Sequence, residues 1–509
     1  MPNRTSPIDL QLIAKQVMQE RGFNPDFPSG VYRQLADLHD HPPRLAAGND
    51  VRDLRSMLWS SIDNDSSRDL DQIEFAETVP GGNTKVRIAI ADVDAFVPKG
   101  TPIDQHAARE TATVYAGVRN FPMLPEELST GETSLLEGKD KDKDKYKDQD
   151  KNDNKDKDGD TNNDRLAVVV EFTVDPEGHV VDGLAYRALV RNRAQLQYNS
   201  LGAWLEGAGP APEKIATSSD LQMQLRLQSA IAQKLKTRRF ESGALSLQTE
   251  EPVPLLDGQA DASFQPRNLA TELIEDFMIA ANGVVARMLE NVSSLRRVVR
   301  QPRRWDRIVG LAAEYGEQLP ATPDSKALND FLLKRKAADP DHFPELSLAV
   351  VKLIGPGEYV VERPGEPAPG HFGLAVHDYT HSTAPNRRFA DIVSQRLIKA
   401  VLSGAPNPYS DAELSQIAAN CTVKGNAARK VEREMAKRLA AVALQKRIGT
   451  IFDAIVTGVT PRGTFVRALQ AHVEGLLAQG DKGLDVGDRL RVKLIRIDVQ
   501  QGFIDFAKV

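Results

Sequence analysis

Four aspartates crowd one short stretch, Ser61-Ile-Asp-Asn-Asp-Ser-Ser-Arg-Asp-Leu-Asp-Gln72: Asp63, Asp65, Asp69 and Asp71. Carboxylates this close raise one another's pKa unless a cation neutralises them. Hard oxygen ligands of this kind suit Mg²⁺, with Mn²⁺ as the alternative. Two such ions about 4 Å apart activate a water and stabilise the leaving oxygen of a phosphodiester. On the count alone a solvated acidic turn is the commoner outcome, because Asp and Ser are turn formers. An EF-hand does not fit, since its Gly and its last Glu are missing.

A second stretch, His371-Phe-Gly-Leu-Ala-Val-His-Asp-Tyr-Thr-His-Ser-Thr-Ala-Pro-Asn-Arg-Arg-Phe-Ala-Asp391, carries the complementary charge. Thr383 reads as the cap of a helix that Pro385 starts, with Arg387 and Arg388 in its first turns. Cations are out of place there, because the dipole favours anions. They make sense if a phosphate docks at the helix end. Arg387 would then stabilise charge developing on that phosphate. The alternative is a surface pair neutralised by Asp391 or another acid. His377 and His381 are read as packing or hydrogen-bonding residues, since no third soft ligand accompanies them.

The elements that must position these groups follow from periodicity. Ser6 and Pro7 read as cap and first residue of a helix that Gly22 ends, and a second helix covers Val31 to Leu38. The two form either a small helix-turn-helix-like unit or a pair packed on the main body. Ile73–Ala76 and Val86–Ala91 read as strands joined by the Pro80-Gly-Gly-Asn83 turn. Gly138 to Asp164 is a Lys/Asp repeat with almost nothing apolar to bury, expected as a disordered loop before the strand Leu166–Phe172. Helical patterns run from Thr271 to Leu289, after Pro385, and from Lys424 to Arg447. The last of these crowds Lys424, Arg429, Lys430, Arg433, Lys437 and Arg438 over an apolar face of Val431, Met435, Leu439 and Val442. It is either a wall for a polyanion or a solvated amphipathic helix. Glu432, among these bases, could orient a ribose hydroxyl or support an arginine. From Ile451 to Val509 short strands with turns at Pro461–Gly463 and Val486–Asp488 have the rhythm of an OB-type barrel. Phe452 and Phe465 are its candidate stacking platforms for bases, with a core role for one of them equally open.

Composition bounds the class. The 509 residues are too many for one ordinary core. A net charge of −6 gives no general attraction to a polyanion, so nucleic-acid binding must rest on local basic stretches. Cys421 is the only cysteine, which excludes an intramolecular disulfide and a Cys-rich zinc site. It is expected as a small buried residue. The first residues lack the apolar core of a signal peptide, and no run approaches the roughly 18 apolar residues of a membrane span. A soluble cytoplasmic protein is expected.

Together these stretches resemble the ribonuclease II / ribonuclease R family, an RNB domain followed by an S1 domain. The resemblance runs from about Leu54 to Val509. It is carried by Ile62–Asp71, Phe121-Pro-Met-Leu-Pro125, Ile274-Glu-Asp-Phe-Met-Ile-Ala-Ala-Asn282 and Tyr379–Asp391, in that order. Gly463-Thr-Phe-Val466 and Val486-Gly-Asp488 look like the S1 signature. It implies an α+β multidomain fold: a helical N-terminal region (1–48), a large mixed α/β catalytic domain (49–446, with the 138–164 insertion) and an S1/OB-fold barrel (447–509). It further implies processive 3′→5′ hydrolysis of single-stranded RNA to 5′-nucleoside monophosphates with Mg²⁺, by a monomer. The implied metal ligands are Asp63, Asp69, Asp71 and Gln72. The implied catalytic groups are Asp69, Asp71, Arg387 on the scissile phosphate and Glu432. Tyr115 is implied to stack on the 3′-terminal base, and Arg388, Arg433, Phe452 and Phe465 complete the expected RNA contacts.

The departures are specific. Gln72 stands where the family has its fourth clustered acid, and its amide ligates without charge. Asp65 is the candidate to compensate. Pro302 falls where some members have a second stacking aromatic, and Asn386 where isoleucine is usual. Two cold-shock domains common in the family are not expected ahead of the cluster, where the residues look helical.

Overall fold

The computed structural model describes residues 9–43, 48, 50–138, 163–248, 267–340, 342–367, 369–469, 471 and 473–509. The Lys/Asp repeat, but for its ends, lies outside the described residues, as do Ser6 and Pro7.

Helix α1 (Leu10–Glu20) is capped by the Asp9 carboxylate, which accepts from the backbone N–H groups of Gln11 and Leu12. Gly22, at φ +84°, follows its end in the left-handed region that favours glycine. Helix α2 (Ser29–Asp40) extends the expected span at both ends. The pair packs on the body: α1 buries Ala14, Val17 and Met18 in a cluster with Val431 and Met435, while Val31 of α2 joins the main core.

The central sheet is built from β1 (Val51–Asp53), β2 (Trp59–Asp63), β3 (Gln72–Thr78) and β4 (Thr84–Ala91). Between β3 and β4 the expected Pro80–Asn83 turn places Gly81 and Gly82 at positive φ. Helix α3 (Pro102–Glu110) and the small hairpin of β5 (Val114–Tyr115) and β6 (Asn120–Phe121) follow. Strands β7 (Asp164–Val174) and β8 (Val180–Gln197) complete a sheet of order β1-β8-β2-β3-β4-β7. Because β7 also pairs with β8, the sheet returns on itself. Its buried Ile73, Ile88, Ile90, Val168 and Phe172 share one core with Leu273, Phe277 and Ala281.

Those last residues belong to α7, reached through α4 (Tyr198–Leu205), α5 (Glu213–Ala216) and α6 (Ser219–Glu241). Helix α7 (Leu269–Met288) starts at a capping box of Asn268 and Thr271, close to the expected bounds. Strand β9 (Ser294–Val298) pairs with β10 (Glu358–Glu362), and between them α8 (Trp305–Glu314), α9 (Ser325–Ala338) and α10 (Phe343–Ile354) bury a cluster of their own. Helix α11 (Phe389–Ser403) begins later than the sequence suggests. Residues 385–387 form a turn, and Arg388 is the cap position. The Asp391 carboxylate explains the shift: it accepts from the Ala384 N–H and both guanidinium branches of Arg388, fixing the turn outside the helix. Helix α12 (Asp411–Leu444) starts well before Lys424, at a capping box of Ser410 and Glu413.

Strands β11 (Ile451–Thr460), β12 (Gly463–Ala468), β13 (Val473–Gln479), β14 (Arg489–Asp498) and β15 (Phe503–Lys508) close the expected barrel. One expectation fails there. Phe452 is 2% exposed and meets Phe506 edge-on in the barrel core, so it is no platform for a base. Phe465 is half-buried. The Phe452→Ala variant is therefore expected to cost the barrel about 3–5 kcal/mol, read by denaturant melts. A wild-type melt with weakened RNA binding would place the ring outside the core instead.

Candidate active site

The acidic stretch is the connection between two buried strands. Asp63 ends β2 and Gln72 opens β3, so the ends of the loop are held by the sheet while Asn64, Asp65 and Ser66 stay exposed. Asp63 accepts from the Asn64 N–H at 2.7 Å and from the Ser67 hydroxyl at 2.8 Å. Asp69 accepts from the Tyr115 hydroxyl at 2.9 Å. The backbone N–H of Tyr115 in turn donates to Glu432 Oε1 at 3.2 Å, which brings α12 to the same place.

Asp71 is 1% exposed and joins this loop to the arginine turn. Its Oδ1 accepts from the Asn386 N–H at 2.8 Å, and its Oδ2 lies 3.4 Å from Arg387 Nε. Burial pushes the Asp71 carboxyl up to about 7, although the Arg387 charge and the Asn386 N–H pull the other way. Burial opposes charge on Arg387, but Asp71, Tyr115, Asp63 and Asp69 outweigh it and raise its pKa. One guanidinium is thus the shared electrostatic neighbour of three aspartates drawn from a nine-residue stretch.

A cavity of about 480 Å³ opens beside it, lined in part by Asp63, Gln72, Asn282, Tyr379, Arg387 and Arg388. Arg388 spends its fork on Asp391 and Arg387 lies against Asp71, so both arginines face acids, as the paired alternative has it. Arg433 is exposed on α12. Asp65 is also exposed. Asn386 is buried, and its Oδ1 accepts from the Thr133 hydroxyl at 2.6 Å, a bond isoleucine could not make. His381 is half-buried against Tyr359, with 2.7 Å between ring nitrogen and hydroxyl, whereas His377 is exposed; they form no metal pair. Cys421 is buried and free, as expected.

Among the described residues no three acids, histidines or cysteines close into a ready cation cage. The donor set nevertheless fits a hard cation. It is all oxygen, and the buried Oδ2 of Asp71 has no hydrogen-bond donor. One acid of this neighbourhood was missed from sequence. Glu74, inside β3, is 0% exposed, and neither of its oxygens meets a donor. Burial, and then the Asp63 charge, push its pKa well up. The sequence carries no signal for it: Gln72 and Glu74 alternate with Ile73 and Phe75 as the wet face of a strand would.

Compared with known proteins, residues 51–404 match the RNB domain. The chain belongs to the RNB family. Residues 450–509 match the RNase II-type exonuclease C-terminal S1 domain, which is the barrel. This RNB chain is 27% identical to ribonuclease R of Thermotoga maritima over 99% of its own length and 70% of that protein. It is 26% identical to ribonuclease R 1 of Lactococcus lactis over 96% of its own length and 60% of that relative. It thus spans only about three-fifths to seven-tenths of these relatives. Its fold is similar to that of Mycoplasma genitalium RNase R in complex with ribose methylated single-stranded RNA (TM-score 0.81, 22% identity, 98% of this chain and 78% of that one). It is also similar to yeast Ssd1, a pseudonuclease (TM-score 0.69, 18% identity, 92% and 55%). Among the described residues no helix is long and apolar enough to cross a membrane.

Leu374, in the cavity wall, is held by an acid-sensitive neighbour, His371. Burial, helped by the Arg297 charge, lowers its pKa to about 4, and its ring nitrogen must stay bare to accept the Leu374 N–H. The unfolded chain takes up this proton from about pH 6.5 downward, the folded chain only near 4. Stability from this residue is therefore whole above pH 6.5 and lost as pH falls towards 4. His371→Asn keeps a capping acceptor without the titration. Urea melts should show wild type losing ground to it on acidification, by at most about 1.4 kcal/mol per pH unit. A constant difference from pH 7.5 to 4.5 would contradict this.

Proposed function

We propose that this chain is a metal-dependent 3′→5′ exoribonuclease that hydrolyses single-stranded RNA to 5′-nucleoside monophosphates. The observation that carries the reading is Arg387 set against Asp71, with Asp63 and Asp69 as its further charged neighbours, beside an open cavity. The match to the RNB domain and the similarity to ribonucleases R support it.

The donor set fits Mg²⁺ or Mn²⁺, held by Asp63, Asp69 and Asp71 with the Gln72 amide beside them. When bound, such ions activate a water and stabilise a leaving oxygen. The protein's own groups do the rest. Asp71 keeps Arg387 close to the reacting phosphate, and Arg387 stabilises the charge that develops there. Tyr115, its hydroxyl tied to Asp69, presents a ring that is 39% exposed to stack on the terminal base. Glu432 holds the Tyr115 backbone from below. Exposed Arg429, Lys430, Arg433 and Lys437 on α12 offer a basic path for the strand behind that base.

A second reading has its own observation. Gln72 removes a charge from the cluster, and one structural neighbour is described as a pseudonuclease. The chain would then bind RNA without turnover. A 5′-labelled oligoribonucleotide with Mg²⁺ or Mn²⁺ separates the two. A ladder that shortens to a small limit product is expected, whereas tight binding with no cleavage in either metal supports the second reading. Internal cuts, or cleavage of circular RNA, would contradict both. Asp71→Asn and Arg387→Ala are each expected to lower turnover by roughly 10²–10³-fold. RNA affinity should fall far less, as a filter-binding assay would show. Turnover within threefold of wild type in either variant would remove that residue from the chemistry.

A further inference from the structure

Strand β3 turns two polar side chains inward. Gln72 and Glu74 are two residues apart and so lie on the same side of the strand; they are 4% and 0% exposed. Gln72 lines the cavity together with Asp63 and Tyr198. Glu74 sits one step deeper, directly across from Ser60 of β2. Neither oxygen of Glu74 has a hydrogen-bond donor, and the Ser60 hydroxyl beside it also has no partner. Asp63 and Tyr198, both in the cavity wall, are its electrostatic neighbours.

A carboxyl so placed is costly as mere packing. A buried polar group without a partner is disfavoured, and a buried anion more so. An apolar residue would serve the core better at that position, and the neighbouring Ile73 and Phe75 show what such residues look like on this strand. A divalent cation resolves the cost, because it pairs the charge and fills both lone-pair directions. Position matters too. The charge lacking at Gln72 reappears on the same strand face, one strand repeat away. Asp65, the other candidate to replace it, is exposed on the loop.

We propose that Glu74 is a divalent-cation ligand that supplies, with Asp63, the carboxylate charge Gln72 lacks. This rests on the metal-dependent reading above. Three aspartates plus Glu74 restore four acids to the cluster, with the fourth moved from the edge of the cavity to behind it. Ligand charge count is a main determinant of cation affinity, so Glu74 should matter to binding itself and not only to turnover.

The test is Mn²⁺ binding to the full chain without RNA, followed by calorimetry and by the electron paramagnetic resonance signal of free Mn²⁺. Wild type is expected to bind. Glu74→Gln, which keeps shape and removes charge, should bind roughly tenfold or more weakly, while Asp65→Asn stays within about twofold. The double variant Q72D/E74Q, with the acid moved to the edge, should recover most of the loss. If Glu74→Gln does not fold by circular dichroism, Glu74→Asp is read instead: its shorter side chain should also weaken binding several-fold. Wild-type affinity in the folded Glu74 variant overturns this proposal and leaves the nuclease reading standing. Absence of Mn²⁺ binding by wild type overturns both.

Discussion

The site depends on one buried carboxylate. Asp71 accepts the Asn386 backbone N–H and faces Arg387, and through these two contacts the loop between β2 and β3 is tied to the turn before α11. The two segments are more than 300 residues apart in sequence. An unpaired carboxylate at 1% exposure would be expensive, so the turn must close over it whenever the chain folds. That requirement also fixes which arginine is left for chemistry. Asp391 takes the fork of Arg388 and holds the turn from the helix side, leaving Arg387 to face the acids.

Around that contact the elements act as supports of different stiffness. Strands β2 and β3 hold Asp63 and Gln72 at the ends of the loop within the closed sheet. Tyr115 is held twice, by Asp69 at its hydroxyl and by Glu432 at its backbone, so helix α12 is coupled to the acid loop through one residue. The N-terminal helix α1 packs on α12 near the same region, with an ion pair between Arg21 and Glu434 at 2.9 Å. A shift of α12 would therefore reach Tyr115 and Asp69 together.

Much of this was legible in the sequence where local signals and tertiary demands agree. The Pro80–Asn83 turn favours a hairpin, and the strands on either side pair in unbroken register from Gln72 to Thr78. The convergence of Asp63, Asp69, Asp71, Tyr115, Arg387 and Glu432 was readable only through resemblance, since nothing local brings residues so far apart together. Failures came where a distant residue overrides a local signal. Thr383 and Pro385 make a good helix start on paper, but Asp391 and Asp71 bind the backbone N–H groups of Ala384 and Asn386 and hold the segment as a turn. Phe452 was misread although its strand gave the sign: Ala454 and Val456 share its face, and a face that apolar points into a barrel. Glu74 was passed over because one charged residue in a strand is normally on the wet side.

In the proposed reaction Asp71 and Arg387 act together on the last phosphodiester of an RNA chain with water as the nucleophile. Mass spectrometry of nucleotides released in ¹⁸O-labelled water tests it most directly. Expected are 5′-monophosphates that carry one heavy oxygen on the phosphate, released roughly 10²–10³-fold more slowly by the Asp71→Asn variant. Release of 2′,3′-cyclic or 3′-phosphates, or of 5′-monophosphates without label, would contradict it.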